Sequence, residues 1–231
     1  MKDRHRLAQS WQANARRWAG AVRDRAIASR VAGTDAACLA AIRAHSPESL
    51  LDMGCGEGWI CRAVRADMSC ATIGTDASPD LIAEARAADP DGTYLAASYE
   101  DLAADPEKAA GPFDMIVFNF ALLDDDLATP FRAARQRLAP NGTLIVQTLH
   151  PWMQGGVYRG GWREETFSAF GEATWQPMPW YSHTLRDWAH ALGEAGFAIV
   201  GLGEARHVET KTRLSLLITA RPLQAPPADT I

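Results

Sequence analysis

The chain has 231 residues, 47% of them apolar and 22% charged, and a formal net charge of −5. This balance suits one globular unit with a full core and excludes a fibre or a disordered chain. The negative charge argues against a surface that holds a polyanion, so no nucleic-acid partner is expected, and no apolar run of ~18 residues is present to suggest a membrane span.

Residues 5–30 place Leu7, Trp11, Ala15, Trp18 and Val22 at helical spacing with arginines opposite, which predicts an amphipathic helix. Gly33 ends that pattern, and Thr34 followed by Asp35 is a cap for a second helix that runs to Ala44 and stops at Ser46-Pro47. From Ser49 short apolar runs alternate with helical stretches. The strands are placed at Ser49–Met53, Ala71–Thr75, Thr93–Ala97, Phe113–Asn119 and Thr143–Leu149, and the helices between them at Glu57–Arg65, Pro79–Ala88, Glu100–Ala110 and Leu127–Leu138. This is the pattern of a doubly wound α/β sheet.

Between Pro151 and Ser182 the periodicity disappears. Gly155, Gly156, Gly160, Gly161 and Gly171 and three prolines fall here, yet so do Trp152, Trp162, Trp175 and Trp180, which are costly to leave in water. A segment this long is read as a functional lid rather than a connection. A helix resumes at Leu185, two strands follow at Phe197–Gly203 and Arg213–Ala220, and Pro222, Pro226 and Pro227 mark a tail. The expected organisation is a helical cap at 1–46, an α/β core at 47–150, a lid insertion at 151–182, the rest of the core at 183–221 and a flexible tail at 222–231.

The chemistry centres on Leu51-Asp52-Met53-Gly54-Cys55-Gly56-Glu57-Gly58, a strand that breaks into three alternate glycines and opens a helix. Such a turn lets a ligand lie against bare backbone at a helix N-terminus. Asp76 ends the next strand, 18 residues past Gly58, where an acid can accept the hydroxyls of a ribose. Strand, turn, helix, strand and acid point to a nucleoside ligand. A dinucleotide fingerprint needs a third glycine where Trp59 stands, which disfavours an NAD-type oxidoreductase.

With G-x-G-x-G and Asp76 together, residues 48–150 resemble the class I S-adenosylmethionine-dependent methyltransferases. The resemblance implies a three-layer α/β sandwich around a seven-stranded sheet with one antiparallel strand, carrying an N-terminal helical extension and a lid insertion after strand 5. It implies S-adenosyl-L-methionine as cofactor, held by Asp52, Gly54, Cys55 and Gly56 at the turn and by Asp76 and Ala77 at the ribose. Ser98 and Tyr99 stand at the adenine position, where relatives often carry an aspartate; a shifted alignment passes that role to Glu100. Asn119 and Phe120 fall at the end of the fourth strand. The Asn/Asp-Pro-Pro-Tyr/Phe signature of base and amide N-methylating relatives is missing, which disfavours that subclass; the expected acceptor is a small metabolite, methylated at O, N or C.

His150, directly after the fifth strand, is a candidate base, with a loop-holding histidine as the alternative. Trp11, Trp18, Arg23, Trp152, Tyr181 and His183 are candidate substrate contacts, with Arg163 as a further polar anchor. Asp124-Asp125-Asp126 is read as a helix start, and no metal is assigned. Cys38, Cys55, Cys61 and Cys70 form no C-x-x-C pair, which fits a reducing, cytoplasmic compartment. A catalytically silent cofactor-binding module of the same fold is the alternative to an enzyme.

Overall fold

The computed structural model describes residues 2–153, 158–168 and 174–224. Gly155, Gly156, Gly171, Pro226 and Pro227 lie outside them.

A seven-stranded sheet has the order β3-β2-β1-β4-β5-β9-β8. Its strands are β1 (Ser49–Met53), β2 (Ala71–Asp76), β3 (Thr93–Ala96), β4 (Phe113–Asn119), β5 (Leu138–Leu149), β8 (Phe197–Arg206) and β9 (Arg213–Pro222). All neighbours pair in parallel until β9, which runs antiparallel to both β5 and β8. β1 and β4 are near-continuous apolar runs because both faces are covered. On one face α2 (Asp35–Arg43) and α3 (Trp59–Asp67) bury Ile42, Ile60 and Val64 against Leu50, Val117 and Ile145. On the other, α5 (Tyr99–Ala104), α6 (Ala128–Arg137) and α7 (Leu185–Glu194) cover Leu51, Phe118 and Val146. Phe118, Phe131 and Trp188 form a chain of ring contacts there, at 6.0 and 6.3 Å.

Chain order reverses between β1 and β4, so the crevice beyond their carboxyl ends is where ligands of open α/β sheets collect. Helix starts follow side-chain chemistry. Ser78 caps α4 (Pro79–Ala88) with Pro79 in the first turn, and Ser98/Asp101 and Thr184/Asp187 form capping boxes on α5 and α7.

Several boundaries differ from the sequence reading. The first helix, α1 (Lys2–Arg23), does not reach residue 30. Arg25 turns to φ 56°, and the bonds from Ala26 N to Ala21 O and from Arg25 N to Val22 O close a Schellman motif without glycine. Thr34 makes no side-chain cap; it ends a turn at Arg30–Thr34 that is kinked at Gly33, φ 155°, before α2 begins. α5 stops at Ala104 rather than Ala110, because Pro106 forces Asp105 into an extended conformation. β5 starts at Leu138, and Pro140-Asn141-Gly142 bulges within it, unpaired to β4 between the Phe113–Leu138 and Met115–Thr143 pairs. Pro222 is the last residue of β9, not part of a tail.

The insertion holds structure that the sequence reading lacks. β6 (Gly161–Glu165) pairs antiparallel with β7 (Met178–Ser182) in a separate two-stranded sheet. α1 packs on this sheet. Leu7, Met178, Trp180 and Phe167 share a buried cluster with Leu123 from the segment after β4, and Trp11, Trp18, Leu149 and Trp175 lie against it.

Candidate active site

The glycine turn is fastened to β2 by bonds from Gly54 N and Cys55 N to Thr75 O, at 2.7 and 2.9 Å. Its glycines serve different ends. A Cβ on Gly54 would meet the Ala121 Cβ at 2.4 Å and the Tyr99 hydroxyl at 2.8 Å, so Gly54 is required by the protein's own packing. A Cβ on Gly56, at φ 55°, would meet no protein atom within 4 Å. The bare backbone there faces open space, which is the cradle a ligand needs. The Cys55 side chain points into the core beside Cys61, Ile82 and Tyr94, so only its backbone can face that space.

Two acids flank the cradle. Asp76 accepts the Gly56 N–H at 2.9 Å on one oxygen and the Ser78 N–H at 2.8 Å on the other, which fixes the carboxylate and leaves each oxygen further lone pairs. Ala77 is exposed between them. Asp52 is 1% exposed, and neither of its oxygens has a hydrogen-bond partner among the described residues. Burial, and after it the Asp76 charge, pushes its carboxyl up to about 8. A buried carboxylate without a donor is costly and calls for a cationic or hydrogen-bonding ligand group.

At the third motif the Ser98 hydroxyl accepts the Asp101 N–H at 3.1 Å as the cap of α5. Tyr99 lies beneath the glycine turn, its hydroxyl donating to the Ala121 carbonyl at 3.3 Å and its ring 5.8 Å from Phe118. Glu100 is exposed.

At the end of β4, Asn119 donates to the Gln147 side-chain oxygen at 2.6 Å, and the Phe120 N–H donates to the Gln147 carbonyl at 2.8 Å. The Gln147 amide nitrogen reaches the Thr34 carbonyl and the Ser215 hydroxyl, at 3.0 and 2.9 Å. Gln147, absent from the sequence reading, thus ties β4, β5, β9 and the N-terminal segment together under the crevice. Phe120 sits at φ 51°, a strained setting for a bulky residue that is concentrated at functional sites.

Arg30 was also missed. Its guanidinium lies 4.4 Å from the centroid of the Trp59 ring and pairs with Asp35 at 3.0 Å, and its charge offsets part of the upward shift that burial gives Asp52 and Glu57. The signal available in the sequence was Trp59 itself, an aromatic face in the place of a glycine, which attracts a cation.

α1 and the β6–β7 sheet are joined to each other and to the segment after β4. Asn14 exchanges two bonds with the Gln176 backbone, Arg6 pairs with Glu164 at 2.8 Å, and Tyr181 N donates to Leu123 O at 2.8 Å. Trp11 and Trp18 meet edge to face at 5.3 Å. Arg163 is paired in register with Trp180 within that sheet.

Other candidates are engaged elsewhere. Arg23 pairs with Glu84 at 2.8 Å and holds the end of α1 on α4. His183 is buried, contacts the Asp124 carbonyl at 2.7 Å through Nε2, and lies between the rings of Tyr181 and Trp188 at 4.7 and 5.2 Å; burial lowers its pKa. The His150 Nδ1 accepts the Trp152 N–H at 3.3 Å and its Nε2 meets Glu204 on β8 at 3.1 Å, so its ring faces the β8 edge. Trp152 stacks toward His150 and Tyr158, apart from the aromatic cluster under α1. Asp124 and Asp125 pair with Arg4, and Asp126 caps α6 through Ala128 and Thr129. No helix among the described residues is long and apolar enough to cross a membrane.

A family model described as a methyltransferase domain matches residues 22–202. A search of functionally curated proteins returns no match. Among solved structures, an S-adenosylmethionine-dependent methyltransferase from Mesorhizobium loti is 28% identical, with 79% of this chain and 96% of that one covered and a TM-score of 0.59. The fold is shared with the 1,6-didemethyltoxoflavin-N1-methyltransferase of Burkholderia thailandensis, solved with 1,6-didemethyltoxoflavin and S-adenosylhomocysteine bound, at 18% identity, coverage of 95% and 90%, and TM-score 0.62. It is also shared with a methyltransferase from Methanosarcina mazei, at 15% identity, coverage of 80% and 98%, and TM-score 0.63. The extent of the family match covers the cradle, both acids and the β4 end, and the chain belongs to the methyltransferase-domain family as an enzyme that uses S-adenosylmethionine.

Proposed function

We propose that the protein transfers the methyl group of S-adenosylmethionine to an oxygen, nitrogen or carbon of a small, flat or apolar metabolite by in-line displacement. The observation that carries the cofactor assignment is the orphaned Asp52 carboxylate beside the open face of Gly56. Asp52 receives the methionine ammonium, Arg30 on its Trp59 platform receives the carboxylate, and Asp76 accepts the ribose hydroxyls. Ser98 and the Tyr99 backbone hold the adenine, and Asn119 and Phe120 border the sulfur. When bound, the cofactor would supply a sulfonium-activated methyl for an electron pair of the acceptor, with S-adenosylhomocysteine as the leaving group and any acceptor proton passing to solvent.

The protein's part is positioning and exclusion of water, which needs no nucleophile of its own. The small-acceptor reading is supported by the tryptophan-rich cluster that closes under α1. The ion pairs from Arg4, Arg6 and Arg23 are half-exposed and individually weak, so α1 is held chiefly by its buried face, with Leu7, Ala15, Ala19 and Val22. The Burkholderia neighbour, with 1,6-didemethyltoxoflavin bound, is consistent with a small acceptor. His150 is assigned the loop-holding role, since both ring nitrogens face its own loop and β8.

Calorimetry with S-adenosylhomocysteine tests the cofactor site: Asp76→Ala should weaken binding by about 1.5–3 kcal/mol. Undiminished affinity would place the ribose elsewhere. Transfer of labelled methyl to a fractionated small-metabolite pool tests the acceptor class, and tight cofactor binding with no labelled product would favour a silent binding module.

A further inference from the structure

A cavity of about 380 Å³ opens at the β8 edge of the sheet, between the turn at Pro151–Met153, the start of α7 and the β8–β9 pair. Neighbouring strands are ~4.8 Å apart, so β8 lies ~14 Å across the sheet from β4 and this space is separate from the cofactor crevice. Its volume is within the ~300–1,000 Å³ of small-molecule sites.

The polar side is formed by His150, Glu204 and Arg206. Glu204 accepts from His150 Nε2 at 3.1 Å, from Arg213 Nε at 2.6 Å and from Arg206 Nη2 at 2.5 Å. Two guanidinium groups therefore stand against one carboxylate, and the surplus is positive whatever the state of the imidazole. Arg206 spends one N–H on Glu204 and one on the Lys211 carbonyl at 3.2 Å, out of the five it carries.

The apolar side is formed by Leu185 and Leu216 with two unusually exposed residues, Trp152 at 57% and Leu202 at 61%. The Trp152 ring continues a row between His150 at 5.6 Å and Tyr158 at 6.0 Å. Apolar surface gathered beside an excess cation marks a ligand site more than a fold staple, which would need the ion cluster but not the bare indole.

We propose that this cleft is a second small-molecule site that takes a flat aromatic carboxylate, its ring against Trp152 and Leu202 and its anionic group on Arg206. Neither the methyl acceptor nor the transfer reaction enters the reasoning, so the site stands or falls by itself.

The full chain is titrated calorimetrically with 2-naphthoate and with 2-naphthalenemethanol as its uncharged counterpart. The carboxylate should bind at least tenfold more tightly than the alcohol. Arg206→Gln should remove that preference, Trp152→Ala should weaken both probes, and Leu202→Glu, on an exposed side chain that folding does not need, should repel the naphthoate alone. S-adenosylhomocysteine affinity should be unchanged in Arg206→Gln and Leu202→Glu, and naphthoate affinity unchanged in Asp76→Ala. The proposal is overturned if naphthoate binds no better than the alcohol, if both charge variants leave its affinity intact, or if S-adenosylhomocysteine competes with it, which would place the probe in the cofactor crevice.

Discussion

Asn14 on α1 holds the backbone of Gln176 from both sides, its Nδ2 donating to the carbonyl at 2.8 Å and its Oδ1 accepting the N–H at 3.0 Å. The Ser10 hydroxyl donates to the same carbonyl at 3.0 Å, so Asn14→Ala chiefly strands the N–H. The expected cost is about 1–2 kcal/mol, which in a chain of this size lowers Tm by about 2–8 °C. Because Asn14 touches the proposed cover and not the crevice, S-adenosylhomocysteine affinity should stay within twofold while methyl transfer falls. Equal losses in binding and transfer would show that α1 does not act as a cover.

The two glycines of the turn predict opposite phenotypes. Gly54→Ala drives a methyl group into Ala121 and should destabilise the fold itself. Gly56→Ala meets nothing, and its φ of 55° costs only about 1–2 kcal/mol, so the protein should fold and yet lose the cofactor, whose place the methyl takes. Thermal melts paired with calorimetry check this. A Gly56→Ala protein that binds S-adenosylhomocysteine normally would show that the cofactor does not lie on this stretch of backbone.

Asp52 makes the site pH-sensitive. Its carboxyl is raised to about 8 by burial and by Asp76, whereas in the unfolded chain it titrates near ~3.9. Between these values the folded chain holds a proton that the unfolded chain has released, so this group's contribution to stability falls as pH rises from ~4 to about 8. A cofactor ammonium favours the ionised form and expels that proton. Affinity for S-adenosylhomocysteine should therefore rise, by as much as about tenfold per unit, up to pH 8 and then level. Asp52→Asn should flatten both profiles, and a wild-type affinity independent of pH from 6 to 8 would remove Asp52 from the ammonium site.

The legible parts of this molecule are those where one local rule acts alone. Five parallel strands showed as short apolar runs between helical stretches, and the turn at Gly54 and Gly56 with Asp52 and Asp76 beside it was legible because a strand that opens into a helix through alternate glycines is a local pattern. β6 and β7 were hidden because Gly-Trp-Arg-Glu-Glu lacks an apolar alternation and the connection between the strands is far longer than a two-residue turn. The end of α1 was hidden because Arg25, not glycine, takes the left-handed position. The orientation of His150 toward β8 depends on Glu204, 54 residues away, and no local pattern encodes that pairing.

Arg30 belongs to the same non-local class, and its role is testable because its partner surface is an aromatic face. The planar guanidinium rests on Trp59 and is largely buried, with 11% side-chain exposure, while Asp35 neutralises part of its charge. Lysine keeps the charge but neither stacks as well nor offers two parallel donors to a carboxylate. Arg30→Lys should therefore weaken S-adenosylhomocysteine by about tenfold, the order of 1.4 kcal/mol expected for a lost charge-assisted bond. 5′-Methylthioadenosine, which has the nucleoside and the sulfur but no amino-acid end, separates this from general damage to the site. Its affinity should be unchanged in Arg30→Lys and should fall in Asp76→Ala, which loses the ribose contact shared by both ligands. If Arg30→Lys weakened the two ligands equally, Arg30 would be supporting the shape of the turn through Trp59 and Asp35 rather than holding the cofactor's carboxylate.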